Sequence, residues 1–515
     1  MKENLIYSEM FKNYTDRIHN LRDLSRYRYL ILSIFVLVLM VFHTVNGQWG
    51  GDFWIHSAVI RELATHPIFP QHPQVLLDAP HTFYSPYALG VAWISRLTNL
   101  TPIATLSIVG IINLILFLIW FRLFIFLLFD GKNSENISFY SLLFMLILWG
   151  RNPWTWSGFL HLWTLGYVLP YPSTFAAALM FLSFSIYIQI LKGKSQLSFF
   201  ALFIAIVLVL LTHPPTAVVM CICLIMLSIS LGGIRRWRNY ALLMGVFFLS
   251  FLFAAAWPCY PFWQNVILSQ PSTFLEHSYT FYSGAFTRIF PVIIGLPLLM
   301  LRIRLNWRDP LALMFFGLCL IYFYGAISRN WSYGRVIFYI VLMLDIVIAV
   351  WFVRIESELT LGNSVSLLAY RGMIILILIC VIRVLPVLIR CFLGGQNDYG
   401  TYLFLSKYTK QYDVILSDIE TSALIPVFGG KVVAAPPTLY GVNDAEERIE
   451  DLERFFKDNA YYNTQLNIIR KYKVGFLLLN IKRSQILRTK IDLFKRFGNV
   501  VYSDNNFVLI KVSYF

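Results

Sequence analysis

The chain has 515 residues, of which 58% are hydrophobic and only 13% charged, with a mean hydropathy of +0.65. A soluble protein needs far more polar surface to cover its core, so this composition excludes the soluble classes and points to a polytopic membrane protein. The formal charge of +15 does not signal a nucleic-acid partner, because Lys and Arg fall mainly in short segments between apolar runs, where cytoplasmic loops keep them.

Residues 1–28 are polar and charged, carry no recognisable cleavable signal, and read as a cytoplasmic, partly amphipathic segment leading into the first span. A hydrocarbon core of about 30 Å takes about 20 apolar residues in helical form. Apolar runs fall near 29–46, 104–129, 136–150, 172–191, 197–212, 216–232, 239–257, 288–302, 309–327, 335–353 and 370–393. That makes about eleven spans; the third run is short and prolines interrupt the 197–232 region. With the N-terminus inside, LRDLSRYR (21–28), KGKS (192–195), RRWR (235–238) and RIRLNWRD (302–309) are cytoplasmic, as the positive-inside rule asks. The opposite side then receives 47–103, 151–171, 213–215, 258–287, 328–334 and everything after about 394. An odd span count places the two termini on opposite sides.

Chemistry concentrates in the first external loop, which opens GGDFWIHSAVIRELATHP (50–67). Gly50 and Gly51 let the backbone bend before Asp52. Apolar residues at Phe53, Ile55, Val59, Ile60 and Leu63 predict a short interfacial helix lying along the bilayer, with Arg61 and Glu62 on its solvated side. Asp52 and His56, four apart, share a face. Asp52 stands where a carboxylate caps a helix and meets the positive end of its dipole, so capping and catalysis both account for it. A Pro-rich loop follows with His72, Asp78, His81, Tyr84 and Tyr87. The histidine spacings of six and nine match no standard zinc pattern.

The later external segments are rich in Trp, Tyr, His and Pro. An aromatic interfacial belt accounts for many of these residues; His161, His213, His277 and Arg151 on the same face point to a polar cleft. In SRNWSYGRVIFY (328–339), Arg329 and Arg335 flank Tyr333. Arg335 stands on the external side, where the positive-inside rule disfavours it. Its guanidinium suits a phosphate, and snorkelling to the interface is the other account. Asp345, in VLMLDIVIA, is the clearest acid inside a span, a costly place for a carboxylate. The cysteines lie in or beside apolar runs and read as buried thiols.

Composition changes near 394. YDVILSD, GGKVVAAP, VGFLLLN and NFVLIKV read as strands and DAEERIEDLERFFKD as a charged amphipathic helix. The expected fold class is therefore mostly α: a polytopic helical membrane protein of about eleven spans with a small C-terminal α/β extracytoplasmic domain. The expected organisation is a cytoplasmic segment at 1–28, a transmembrane domain at 29–393 with its long first external loop at 47–103, and the α/β domain at 394–515.

The span count, the long first loop with an acid at its start in GGDFWIH, and the C-terminal external domain together resemble the GT-C superfamily of integral-membrane glycosyltransferases. That superfamily includes the protein O-mannosyltransferases and the lipid A aminoarabinose transferases. The resemblance implies that Asp52 serves as general base for the acceptor or coordinates a metal, and that a basic residue near the start of a late span contacts the lipid phosphate. The superfamily's frequent pair of adjacent acids is absent, since Phe53 follows Asp52. No metal ligand is therefore assigned, and a divalent cation stays open.

The expected function is transfer of a sugar from a polyprenyl-phosphate donor to a glycan, lipid or protein acceptor on the external face. Such chemistry needs a base for the acceptor hydroxyl and cations for the leaving phosphate. Asp52 is the candidate base; His56, His81, Tyr84, His213, Arg329, Tyr333 and Arg335 are the candidate substrate-binding residues. No P-loop, dinucleotide-binding or HExxH motif is present, which favours a lipid-linked donor over a nucleotide sugar. The alternatives are a surface-polysaccharide polymerase or ligase, and a transporter or flippase, for which Asp345 is the relevant residue.

Overall fold

The computed structural model describes residues 27–513 except 80, 132, 194–197, 233–236, 259, 261, 264–277, 360–363, 395–397, 437–440, 458–459 and 483–490. The expected N-terminal helix within 1–26 and His277 lie outside the described residues.

Among the described residues nine helices are long and apolar enough to cross a membrane: Arg28–Val45, Pro102–Leu128, Pro172–Leu191, Pro214–Gly232, Trp237–Ala255, Ala285–Leu305, Pro310–Ile327, Trp331–Leu359 and Ser364–Leu393. Two shorter apolar helices, Ser134–Ile147 and Ser198–Thr212, occupy the short third run and the first part of the proline-interrupted region. The chain is thus a multi-pass, mostly helical membrane protein. Local sequence starts several of these helices. Asp309 accepts from the Ala312 N–H at 3.1 Å with Pro310 at the first helical position, the arrangement in which a side chain satisfies an otherwise orphan donor and proline loses nothing.

The spans differ in what surrounds them. Trp331–Leu359 is the most enclosed, with almost all of its apolar window covered, whereas Ser364–Leu393 is covered along only a small part. Ile375, Leu378, Ile379, Ile382, Leu385 and Ile389 stand exposed on that last helix. So wide an apolar surface is stable only against lipid.

The chain divides into two compact units. One comprises Met1–Gln48, Gly110–Ala256 and Ser269–Gly395; the other comprises Trp49–Val109, Trp257–Leu268 and Gln396–Phe515. Most of residues 47–103 therefore group with the C-terminal residues.

In the second unit a five-stranded sheet is formed by β1 (Val414–Leu416), β2 (Lys431–Val432), β3 (Val474–Asn480), β4 (Gly498–Ser503) and β5 (Phe507–Val512), in the order β2-β1-β3-β5-β4. β1 runs parallel to both β2 and β3, with Val414 opposite Lys431 and Leu416 opposite Leu477. β5 is antiparallel to β3 and β4. β3 is a nearly continuous buried run, VGFLLLN, as a central strand covered on both faces should be. Helices Ala445–Phe456 and Tyr462–Lys471 turn their apolar sides inward through Leu452, Phe455, Ile468 and Ile469. Four of the strands were readable as short apolar runs and the first of these helices as a charged amphipathic stretch; β4 and the second helix were not, because GNVVYS is half exposed and YNTQLNIIRK is mostly polar.

The predicted helix after Asp52 exists, as Phe53–Thr65, but it is not a surface helix lying on a bilayer. Its residues from Phe53 to Ile60 are all buried, as are Glu62 and Leu63. It packs on Pro86–Thr98 and on the short turn Ile425–Phe428 of its own unit. The apolar positions read as one lipid-facing stripe are instead consumed on all sides by protein contacts, each fully buried large side chain contributing roughly 1.5–3 kcal/mol.

Candidate active site

The candidate residues fall into both units, and each set is built by local chain geometry. In the loop unit, Gly51 adopts φ 59°, a left-handed conformation that glycine reaches without strain. It delivers Asp52, already helical at φ −67° and ψ −6°, to the position before Phe53. The Asp52 side chain holds the N-cap position and makes no capping hydrogen bond to that helix. The residue is partly exposed. One turn on, the His56 N–H donates to the Asp52 carbonyl at 3.0 Å.

His56 is buried and its ring stacks on Phe83 with centroids 4.6 Å apart. Desolvation pushes its pKa down to about 3, so the imidazole is neutral at physiological pH. His72 and His81 are completely out of water and meet edge to face at 4.9 Å. His72 Nδ1 accepts from the Gln74 and Val75 N–H groups, each at 3.2 Å, and His81 Nδ1 accepts from Phe83 N–H at 3.2 Å. The rings thus satisfy backbone donors in a loop whose prolines deny it a regular ladder. Burial, reinforced by the neighbouring His72, holds His81 well below the usual histidine range. The Tyr84 hydroxyl donates to the Gln71 carbonyl, and the Tyr84 carbonyl accepts from Trp257 Nε1 at 3.2 Å. His56, His81 and Tyr84 therefore come together, through Phe83, as the packed interior of this loop.

Arg61 and Glu62, expected in solvent, are half-buried and buried respectively. Arg61 Nη1 donates to the carbonyls of Pro426, at 3.0 Å, and Gly429. Glu62 Oε2 lies 2.7 Å from Lys431 Nζ, with side-chain exposures of 1% and 2%, and also accepts from Gln411 Nε2 at 2.9 Å. Glu62 Oε1 accepts from the Gln71 N–H at 3.0 Å and the Tyr412 hydroxyl at 3.2 Å. Burial alone would raise the Glu62 carboxyl; the Lys431 ammonium and these hydrogen bonds outweigh it and hold the group below the ordinary carboxylate range. No local signal could have revealed the ion pair, since Lys431 lies 369 positions downstream.

In the other unit, His213 occupies the N-cap of Pro214–Leu227. Its Nδ1 accepts from the Thr216 N–H at 3.3 Å and lies 2.8 Å from the Thr216 hydroxyl, which in turn is 3.1 Å from the Tyr339 hydroxyl. With Nδ1 used as acceptor, Nε2 carries the proton. That nitrogen is buried and has no hydrogen-bond partner among the described residues. Burial, and then the charge of Arg335, push His213 down to about 3.

Arg335 ends the short turn Trp331–Val336 that leads into Ile337–Leu359, and its guanidinium stacks over Trp156 at 5.3 Å. The turn is tight because Gly334 has no side chain: a Cβ there would sit 2.6 Å from Phe281 Cβ. The Arg335 charge acts on the His213 imidazole, and Trp156 lies under the Arg335 guanidinium. Tyr333 packs edge-on against Tyr324 at 5.7 Å. Arg329 adopts φ 55° and is exposed. His161 is buried, its Nε2 donating to the Trp154 carbonyl at 2.9 Å; desolvation lowers its pKa to about 3.

Among the described residues no group of three His, Cys, Asp or Glu side chains is placed to hold a metal ion.

No family model and no curated protein sequence matches the chain. Solved structures do. The Archaeoglobus fulgidus oligosaccharyltransferase in complex with zinc and sulfate is similar with a TM-score of 0.51 at 12% identity, over 92% of this chain and 72% of that one. The apo form of the same protein is similar with a TM-score of 0.52 at 11% identity, over 88% and 70%. At these identities the likeness is one of fold alone.

Proposed function

We propose that this chain is a GT-C glycosyltransferase that moves a sugar or short glycan from a polyprenyl-phosphate-linked donor to a glycan, lipid or protein acceptor on the non-cytoplasmic face of the membrane. The observation that carries the reading is the pairing of His213 with Arg335. A buried Nε2–H donor with no acceptor among the described residues stands beside a stacked guanidinium. Both groups suit phosphate oxygens, and a phosphate would satisfy the orphan donor. The fold shared with an oligosaccharyltransferase is the second support.

Asp52 takes the proton from the acceptor hydroxyl. The acceptor oxygen bonds to the anomeric carbon as the bond from that carbon to phosphate oxygen breaks, and the polyprenyl phosphate leaves; Arg335 and His213, in the other unit, are the residues we assign to phosphate. General-base catalysis contributes roughly 10²–10⁴-fold, and charge compensation at the leaving group acts on the transition state, where charge develops. His56, His81 and Tyr84 keep the loop that follows Asp52 in one conformation, and Arg329 and Tyr333 belong to the segment that presents Arg335. No step is routed through a metal.

The test uses purified protein in lipid with a panel of labelled polyprenyl-phosphate sugars and a crude envelope acceptor extract. Transfer by wild type that collapses in Asp52→Asn, with the melting profile retained, is expected. Transfer unaffected by Asp52→Asn would remove the base from the scheme, and an absence of transfer together with donor-independent substrate movement across the bilayer would replace the enzyme by a transporter.

A further inference from the structure

The helix that starts at Asp52 is held at its far end by charged groups from the C-terminal sheet. Glu62 takes four hydrogen bonds, from Lys431, Gln411, Gln71 and Tyr412, which fill a carboxylate's acceptor sites. Lys431 Nζ gives its three protons to Glu62 Oε2 at 2.7 Å, the His72 carbonyl at 2.8 Å and the Pro73 carbonyl at 3.2 Å. Next to them the Val432 N–H donates to the Gln74 carbonyl at 2.8 Å. Edge strand β2 therefore grips both the helix and the loop behind it.

An apolar contact would hold the helix as well but would tolerate rotation and sliding. A saturated network of directional bonds from four chain segments allows one orientation. About 15 Å of helix separates Glu62 from Asp52 at 1.5 Å per residue, so a tilt of about 4° at Glu62 moves Asp52 by about 1 Å. A displacement of that size is enough to cost about a hundredfold in rate.

We infer that Glu62 and Lys431 are positioning residues for Asp52, so that the C-terminal sheet is part of the transfer machinery and not only an acceptor-binding appendage. This rests on the role proposed above for Asp52. Removing both charges together avoids a lone buried ion, so a folded double variant separates positioning from mere support.

The experiment compares wild type with the double variant Glu62→Leu, Lys431→Met in lipid. The expected result is a protein that still melts cooperatively, kcat lower by about ten- to a hundredfold, and donor KM within about twofold. In an Asp52→Asn background the same double change is expected to cause no further loss, because both act through one carboxylate. Wild-type kcat in a stable double variant, or losses that multiply with Asp52→Asn, would overturn the inference. Should the double variant not fold, Lys431→Arg keeps the charge but cannot serve three closely set acceptors, and a kcat loss at unchanged donor KM is expected from it. Hydrogen exchange over residues 53–60 supplies a readout independent of catalysis. Faster exchange there in the variants is expected, and unchanged exchange would overturn the anchoring whatever Asp52 does. If Asp52→Asn alone leaves transfer intact, the role of Asp52 fails instead, which the exchange measurement distinguishes.

Discussion

His213 Nδ1 accepts the Thr216 backbone N–H at 3.3 Å, and that bond decides which side of the imidazole can act on a ligand. The protonated Nε2 is a fixed donor, not a base. His213→Gln, whose amide can still donate, should keep a larger part of the transfer rate than His213→Leu. Arg335→Lys should lower kcat/KM for the donor by about ten- to a hundredfold, since an ammonium neither stacks on Trp156 nor offers a planar fork. Steady-state kinetics across a donor concentration series would measure both. An Arg335→Lys variant with wild-type kcat/KM would sink the phosphate assignment.

The buried histidines make acid stability a second test. His56 and His161 are neutral with pKa values near 3, whereas an unfolded histidine titrates near 6.5. Between these values the unfolded chain binds a proton that the folded chain does not. Stability is therefore complete above about pH 6.5 and falls as pH drops toward 3, by about 1.4 kcal/mol per pH unit for each such group. The apparent melting temperature should fall between pH 7 and pH 5. His161→Phe should give a shallower slope over that range, even if its absolute stability is lower. An unchanged slope would mean that His161 protonates in place.

Asp345 is fully buried in the most enclosed span, and neither carboxylate oxygen has a hydrogen-bond partner among the described residues. A polar group so placed costs free energy, on the order of 1–3 kcal/mol by mutational measures. Asp345→Leu should raise the melting temperature and leave sugar transfer unchanged. Loss of all activity in Asp345→Asn with an intact fold would instead favour the transport reading, in which intramembrane acids do the work.

Gly150 supplies a steric prediction. Its N–H donates to the Arg288 carbonyl at 2.7 Å, its carbonyl and that of Trp149 accept from Arg383, and a Cβ would collide with the Thr287 carbonyl and stand 2.8 Å from the Arg288 carbonyl carbon. Backbone cannot yield as a flexible side chain can. Gly150→Ala should therefore destabilise by about 1–3 kcal/mol, visible as a lower melting temperature. A wild-type melt would show that this junction relaxes at little cost.

The spans were legible because a bilayer sets a length and a polarity that local composition must meet; even the short run at 136–150 and the break before His213 appeared where the sequence put them. Asp52 was legible as an acid behind two glycines, though composition could not separate capping from chemistry. What stayed hidden depends on partners far away in the chain. Arg61 and Glu62 looked solvated because the cation that neutralises Glu62 and the carbonyls that hold Arg61 lie far downstream, and Trp156 looked like one more interfacial aromatic. Lys431 was read only as a strand residue. Long-range pairing of charges leaves no periodic trace.

The separation between Glu62 and Lys431, 369 positions, also bears on how the protein is made. At about 5–20 residues per second, Glu62 emerges roughly 20–70 seconds before the lysine that neutralises it. Through that interval the first loop carries an acid, and a helix with nearly all its faces apolar, without the strand that will shelter them. The nascent loop is thus a natural client for a chaperone at the membrane surface, and ribosomes halted before Lys431 should yield a loop far more open to protease than that of the finished chain.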